Sequence, residues 1–278
     1  MRSSINLWAF PTEWPMSRVL ALARDAGFEA IEPVCGPALA LSPNSTDEEV
    51  RAYRRGCLDA GLEVSSLVCG GLSQVSILSD EEEVRAQAKE HVRRVLRVGA
   101  ALEVDTLLLH PGFVGPIRAG PPVVADYEVT YDRAIADFCE LAVDAQEAGV
   151  VIGIENVWNK FLVSPLEMRA FVDAVNSPYV GVYFDVGNVM RTGYPQHWIR
   201  ILGSRIHKVH VKDYKVNVGT LDGFVDLLRG DVDYWAVMAA LREVGYDSDL
   251  VVEMSSPAGR VEHCIRQAAQ DVRFILGL

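Results

Sequence analysis

A chain of 278 residues, half of them hydrophobic and 23% charged, is long enough to bury a sizeable core. Its 26 Lys and Arg against 38 Asp and Glu give a formal charge of −12, which argues against nucleic acid or an anionic membrane as partner. Five scattered cysteines without CxxC spacing give no sign of a disulfide framework or a Cys-type zinc site and fit a reducing cytoplasm. Residues 1–15 hold only a short apolar stretch broken by Pro11, Glu13 and Pro15, and no later run reaches the length of a membrane span, so the expected location is cytoplasmic.

In chain order, short β-rich runs alternate with longer helical patterns. A strand over 5–10 precedes a helix over 15–26, and a strand over 28–33 precedes a helix over 46–60. The third and fourth strands are expected at 62–69 and 104–110. The helix between them, 82–102, repeats Val84, Ala88, Val92, Val95 and Leu96 at a period near 3.6. A helix over 126–148 follows, then strands at 150–155, 180–185, 206–211 and 250–253, each succeeded by a helix (164–175, 197–203, 232–244 and 259–276). Eight such units predict a (β/α)8 TIM barrel forming one domain over 1–278, with an open doubly wound sheet as the alternative. The Pro/Gly-rich stretch 111–122 and the segment 212–230 fall where long βα loops build a barrel's site, and the acidic run 80–83 reads as a helix's first turn.

Strands buried on both faces should be continuously apolar, so their polar residues are the informative ones. Four late strands end in Glu155 (VVIGIEN), Asp185 (VGVYFDVGN), His210 (IHKVHVKD) and Glu253 (LVVEMSS). The period of two places Gly153 with Glu155, Tyr183 with Asp185, Lys208 with His210 and Val251 with Glu253 on one face, taken as the barrel interior. Each residue alone reads as a rim group in a salt bridge or helix cap. Three carboxylates together would repel one another unless a cation neutralised them, and three oxygens with one imidazole suit one divalent ion, Mn²⁺ first, with Mg²⁺, Co²⁺ or Zn²⁺ as alternatives.

These residues resemble the sugar phosphate isomerase/epimerase family with the xylose-isomerase-like barrel, over essentially the whole chain. The most specific segments are IENVWNKF, YFDVGN, HVKD and VVEM. The resemblance implies that Glu155, Asp185, His210 and Glu253 hold the metal, and that Glu155 and Glu253 also act as acid and base. It further implies isomerase or epimerase activity in carbohydrate metabolism on a small sugar or sugar phosphate, through a metal-stabilised enediolate. A homodimer or homotetramer is the expected assembly.

Other rim residues are candidates for holding the sugar: Trp14 and Trp158 as an apolar wall or as ordinary packing under a loop, and Cys69, which reads first as a small buried core residue and resembles a substrate-contacting cysteine of ketose 3-epimerases. His110 stands where related apurinic endonucleases place a metal ligand. It reads as a substrate donor first, and otherwise as a second-site ligand or a structural histidine. Lys212 shares the inward parity of His210 and suits a hydroxyl or phosphate, with Asp213 placed to orient either of them. Arg191, Lys215 and Arg260 are further candidates for reaching a phosphate. Asn188, a further candidate substrate contact, replaces the histidine that ketose 3-epimerases carry there, and NKFLVS lacks their following glutamate. Elimination from the same enediolate, by a lyase or dehydratase, is the main alternative. An apurinic-endonuclease-like phosphodiesterase is disfavoured by six histidines and an acidic surface, and a silent sugar-binding barrel leaves the two glutamates without a reason.

Overall fold

The computed structural model describes residues 1–72, 76–115 and 124–277; most of the Pro/Gly-rich stretch, from 116 on, lies outside them. Eight parallel staves form the sheet: β1 (Arg2–Asn6), β2 (Ala30–Glu32, resumed as Val34–Cys35), β3 (Glu63–Val64, resumed as Leu67–Cys69), β4 (Thr106–Leu109), β5 (Val151–Glu155), β6 (Val180–Asp185), β7 (Ile206–Val211) and β8 (Asp249–Val252). The helices that follow them are α1 (Met16–Ala26), α2 (Asp47–Asp59), α3 (Glu82–Leu102), α4 (Tyr127–Ala148), α5 (Pro165–Val175), α6 (Pro195–Leu202), α7 (Tyr234–Glu243) and α8 (Val261–Leu276).

The pairing closes a ring. Ser4 of β1 lies opposite Ala30, both pieces of β2 meet both pieces of β3 (Ala30 with Glu63, Val34 with Val68), and Leu67 lies opposite Leu107 of β4. The ladder continues through β5, β6 and β7 to β8, where Leu250 faces Val209, and Asp249 of β8 returns to Arg2 of β1. This is the (β/α)8 barrel that the alternation predicts rather than the open sheet. Staves β2 and β3 are interrupted at Pro33, which has no N–H to donate, and at Ser65–Ser66, whose hydroxyls turn to partners inside the barrel.

The largest boundary error is in the first strand, expected at 5–10 and found at Arg2–Asn6. Asn6 Oδ1 accepts the Trp8 amide at 2.7 Å and bends residues Leu7–Ala9 into a 3₁₀ turn. Ser3 and Ser4 are buried strand residues, Ser4 through a 2.8 Å hydroxyl contact with Ser65, so the strand's beginning carries no apolar signal. Helix α6 starts at Pro195, two residues earlier than expected, because proline is accommodated in a first helical turn. The acidic run lies where expected, with Glu82 and Glu83 in the first turn of α3.

Inside the ring, Val34, Val68, Leu108, Tyr183 and Val251 form one cluster, while the alternate apolar positions face the helices. The strand bottoms are closed by buried Lys208, whose Nζ lies 3.0 Å from Asp249 Oδ2 and 2.8 Å from Ser248 Oγ, and Arg2 Nε meets the same carboxylate at 2.6 Å. Between α4 and α5, Phe171 packs edge-on against Tyr131, Phe138 and Phe161 with centroids 5.5–5.8 Å apart. Truncating Phe171 to Ala leaves a cavity in fully buried packing and is expected to cost about 3–5 kcal/mol. Urea unfolding should show a lower midpoint at unchanged slope, and a loss under about 1 kcal/mol would contradict this reading of the core.

Candidate metal centre

The C-terminal ends of four consecutive staves deliver the polar cluster. Glu155 and Asp185 close β5 and β6, His210 is the penultimate residue of β7, and Glu253 follows β8 directly. One ligand atom from each lies within 4.8 Å of the others. His210 Nδ1 is 3.0 Å from Glu253 Oε2, 3.3 Å from Glu155 Oε1 and 3.8 Å from Asp185 Oδ2. Glu155, Asp185 and His210 are buried; the Glu253 side chain is 18% exposed. The register explains the convergence: Asp185 faces His210 across the β6–β7 ladder, and Tyr183 and Val251, two residues before Asp185 and Glu253, lie inside the barrel.

Each charge in the cluster acts on its neighbours. Burial raises the cost of charging Glu155, yet His110 at 2.6 Å and His210 outweigh it and hold the carboxyl at about 2. Burial acts likewise on Glu253, and Lys212 at 2.8 Å with His210 holds it below the usual carboxylate range. Asp185 goes the other way: burial, reinforced by Glu253 and Glu155, outweighs Lys212 and raises it to about 7. His210 is held well above its ordinary value, burial being overcome by Glu32, Glu155 and Glu253. Asp185 Oδ1 accepts the Asn188 amide at 2.7 Å, but Oδ2 is buried without a hydrogen-bond partner, with Lys212 Nζ 3.3 Å away. A buried carboxylate oxygen that accepts no hydrogen bond, among two more carboxylates and an imidazole, is part of a donor set that fits a hard or borderline divalent cation.

The other expected residues divide into those at the cluster and those with different partners. His110 touches Glu155, and Lys212 bridges Glu253 and Asp185 above the Phe224 ring, so both belong to the centre. Cys69 is buried with its thiol pushed up by burial, and it lines a cavity of about 170 Å³ with Trp8, His110 and Phe113. Trp158 donates its indole N–H to the Asn188 carbonyl at 2.8 Å and packs on Tyr214 and Phe224. The Asn188 side-chain Nδ2 donates to the Asn156 carbonyl at 3.0 Å, bracing the loops after β5 and β6. Trp14 carries the Arg18 guanidinium 3.6 Å above its ring and lines a neighbouring groove with Trp8.

Asp213 corrects an expectation. Its carboxylate accepts from the amides of Tyr214, Gly230 and Val232, so it ties down the loop after β7 instead of orienting His210 or Lys212. A Cβ at Gly230 would lie 2.1 Å from Asp213 Oδ1, which is why this turn requires glycine. Two residues escaped the sequence reading. Trp8 was absorbed into the first strand, and Glu32, fully buried, contacts His210 Nε2 at 2.8 Å. The signal for Glu32 was present, since a carboxylate beside Pro33 also stands at a strand end.

Fold and site together define a (β/α)8 barrel with a carboxylate–imidazole centre at the C-terminal rim. The chain belongs to the xylose isomerase-like TIM barrel family, whose profile matches residues 20–276. It is 26% identical over 171 residues to the uncharacterized protein MJ1311 of Methanocaldococcus jannaschii, covering 59% of this chain and 55% of that one. It is 27% identical over 128 residues to the 3-oxo-isoapionate decarboxylase of Pectobacterium atrosepticum, covering 46% and 42%. The chain thus spans about half the length of the curated relatives it matches. The D-psicose 3-epimerase of Clostridium cellulolyticum H10, in a structure with D-tagatose, superposes with a TM-score of 0.81 at 18% identity over 100% of this chain and 99% of that one, a likeness of fold. Among the described residues no helix is long and apolar enough to cross a membrane.

The Asp185 environment gives a pH-dependent prediction. A carboxyl raised from 3.8 to about 7 on folding binds its proton more tightly in the folded state. Its destabilising effect is therefore absent below 3.8, grows through that window and is complete above about 7. In chelator-stripped protein, Asp185→Asn is expected to raise unfolding free energy at pH 8, by at most about 4 kcal/mol, and to change it little near pH 4. Denaturant titrations at the two pH values check this; a variant less stable than wild type at pH 8 would show the opposite sign.

Proposed function

We propose that the protein is a divalent-metal-dependent isomerase or epimerase acting on a ketose or ketose phosphate by proton transfer. The observation that carries this reading is the placement of Glu155 and Glu253 at the two ends of a four-stave arc, Glu155 against the His110 imidazole and Glu253 against the Lys212 ammonium. Glu155, Asp185, His210 and Glu253 would hold the ion, which when bound polarises a carbonyl and neutralises the charge that develops on deprotonation of the adjacent carbon. Glu155 or Glu253 takes the proton from carbon, and the other returns it. Return to the same carbon from the opposite face inverts the centre, and return to the neighbour moves the carbonyl. Manganese is the proposed ion, on the strength of a three-oxygen, one-nitrogen donor set.

The roughly 170 Å³ cavity beside His110 supports a substrate the size of a single sugar, with Trp8 and Phe113 as apolar walls and His110 as a polar contact. Cys69 on its lining, and Lys212 beside Glu253, are the remaining proposed contacts. A second reading, lyase chemistry on a keto-sugar acid, is favoured by one observation: the similarity to a decarboxylase.

The test is a panel of free and phosphorylated ketoses, with keto-sugar acids beside them, incubated in D₂O with Mn²⁺. A ketose that takes up deuterium and changes configuration or carbonyl position is the expected result; exchange without such change, alongside loss of CO₂ from an acid, would select the lyase. Glu155→Gln and Glu253→Gln keep an oxygen ligand but remove the base, and each is expected to lower turnover by about 10²–10⁴-fold while retaining the ion. Exchange at the original rate in both variants would exclude the two-glutamate mechanism.

A further inference from the structure

We infer that Glu32 is the positioning residue that fixes the tautomer of His210, so that Nδ1 presents its lone pair to the ion; the inference rests on reading the four-residue cluster as a metal centre. Glu32 ends the first piece of β2 on the far side of His210 from Glu155 and Glu253, and both Glu32 and His210 are fully buried. Its Oε2 lies 2.8 Å from His210 Nε2 and 2.5 Å from Asn6 Nδ2, a donor. Its Oε1 accepts from Tyr183 at 2.5 Å and from Ser66 at 2.6 Å. With donors from β1, from the break in β3 and from β6 aimed at its oxygens, Glu32 acts as an acceptor and has no hydrogen to offer the imidazole. The hydrogen in the Glu32–His210 contact therefore sits on Nε2. Nδ1, facing Glu155, Asp185 and Glu253, is then the nitrogen left with a free lone pair in the neutral ring.

The arrangement also fixes the plane of the ring. Tyr183, which holds Glu32 through its hydroxyl, lies against the imidazole with centroids 4.6 Å apart, so one side chain sets both the carboxylate and the ring it binds. A carboxylate behind a ligating imidazole orients it and raises its basicity, and loss of such a partner typically costs 10–100-fold in metal affinity. Glu32→Gln preserves volume but replaces one oxygen by an NH₂ group. Tyr183 and Ser66 bind the remaining oxygen best, which turns the NH₂ toward His210 Nε2 and favours the tautomer with hydrogen on Nδ1.

The experiment measures Mn²⁺ affinity by calorimetry for wild type, Glu32→Gln and Tyr183→Phe, and the His210 ring-nitrogen shifts of ¹⁵N-labelled, Zn²⁺-loaded protein. For Glu32→Gln the expected result is an affinity about 10–100-fold weaker, with the wild-type pattern of protonated Nε2 and ligated Nδ1 lost. Tyr183→Phe keeps the carboxylate but removes one of its anchors, and a smaller loss of affinity in the same direction is expected. That variant decides the matter if Glu32→Gln does not fold. Wild-type affinity and wild-type shifts in whichever variants fold would overturn the role of Glu32 while leaving the metal reading intact. A wild-type protein that binds no divalent ion would overturn the metal reading itself, and this inference with it.

Discussion

The arrangement at the mouth of this barrel follows from one constraint: four carboxylates surround a single imidazole where little water reaches them. Glu32, Glu155, Asp185 and Glu253 all approach His210 within 4 Å. Carboxylates so placed stand together only if positive charge is interleaved with them. The chain supplies part of it, with His110 against Glu155 and Lys212 between Glu253 and Asp185. What remains is Asp185 Oδ2, buried and without a hydrogen bond, which marks where further positive charge is wanted.

This division of charge gives the two outer glutamates different surroundings. Glu155 is fully enclosed and partnered by an imidazole that is itself 36% exposed, so its link to solvent runs through His110. Glu253 is partly exposed and partnered by an ammonium that also reaches Asp185. Two residues of the same type, at equivalent stave ends of one cluster, are thereby made inequivalent by their neighbours. The loops behind them are braced by side chains bonded to backbone groups: the Asn156 side chain bonds the Asp185 carbonyl and amide, that of Asn188 the Asn156 carbonyl, and that of Trp158 the Asn188 carbonyl. Asparagines in this region thus hold one stave end of the cluster to the next.

How much of this was legible in the sequence depends on how each residue is satisfied. Stave β6 is readable to the residue because both faces are buried and the run is apolar up to Asp185; β7 has the expected bounds too, although His207 and Lys208 interrupt its apolar pattern. The four cluster residues stand out for the same reason, and their common inward parity follows from the period of two. The beginning of β1 was not legible, because Ser3, Ser4 and Asn6 are buried polar groups whose partners lie on other staves and on the following loops. Glu32 is harder to read: it too stands at a strand end, but that strand is broken at Pro33, and its partners come from β1, the break in β3, β6 and β7, so the local pattern shows the carboxylate and not what it binds. Asp213 shows the converse, since adjacency to Lys212 suggested a role at the site while its carboxylate faces amides 17 and 19 positions downstream.

The seam of the barrel has a consequence for how the chain reaches this state. Strand β1 finds β2 nearby in sequence, but its other neighbour is β8, and the Arg2–Asp249 contact joins positions 247 apart. A ribosome delivering the chain from its N-terminus therefore presents β1 with one edge unpaired until nearly the whole barrel has been made. The entropy of closing so long a loop rises only slowly with its length, so the final ring remains accessible, but an open parallel edge persists throughout synthesis. Asp249 meets Arg2 on β1 and Lys208 on β7 at once, so the last stave to emerge brings a charge that recognises both of its flanking strands.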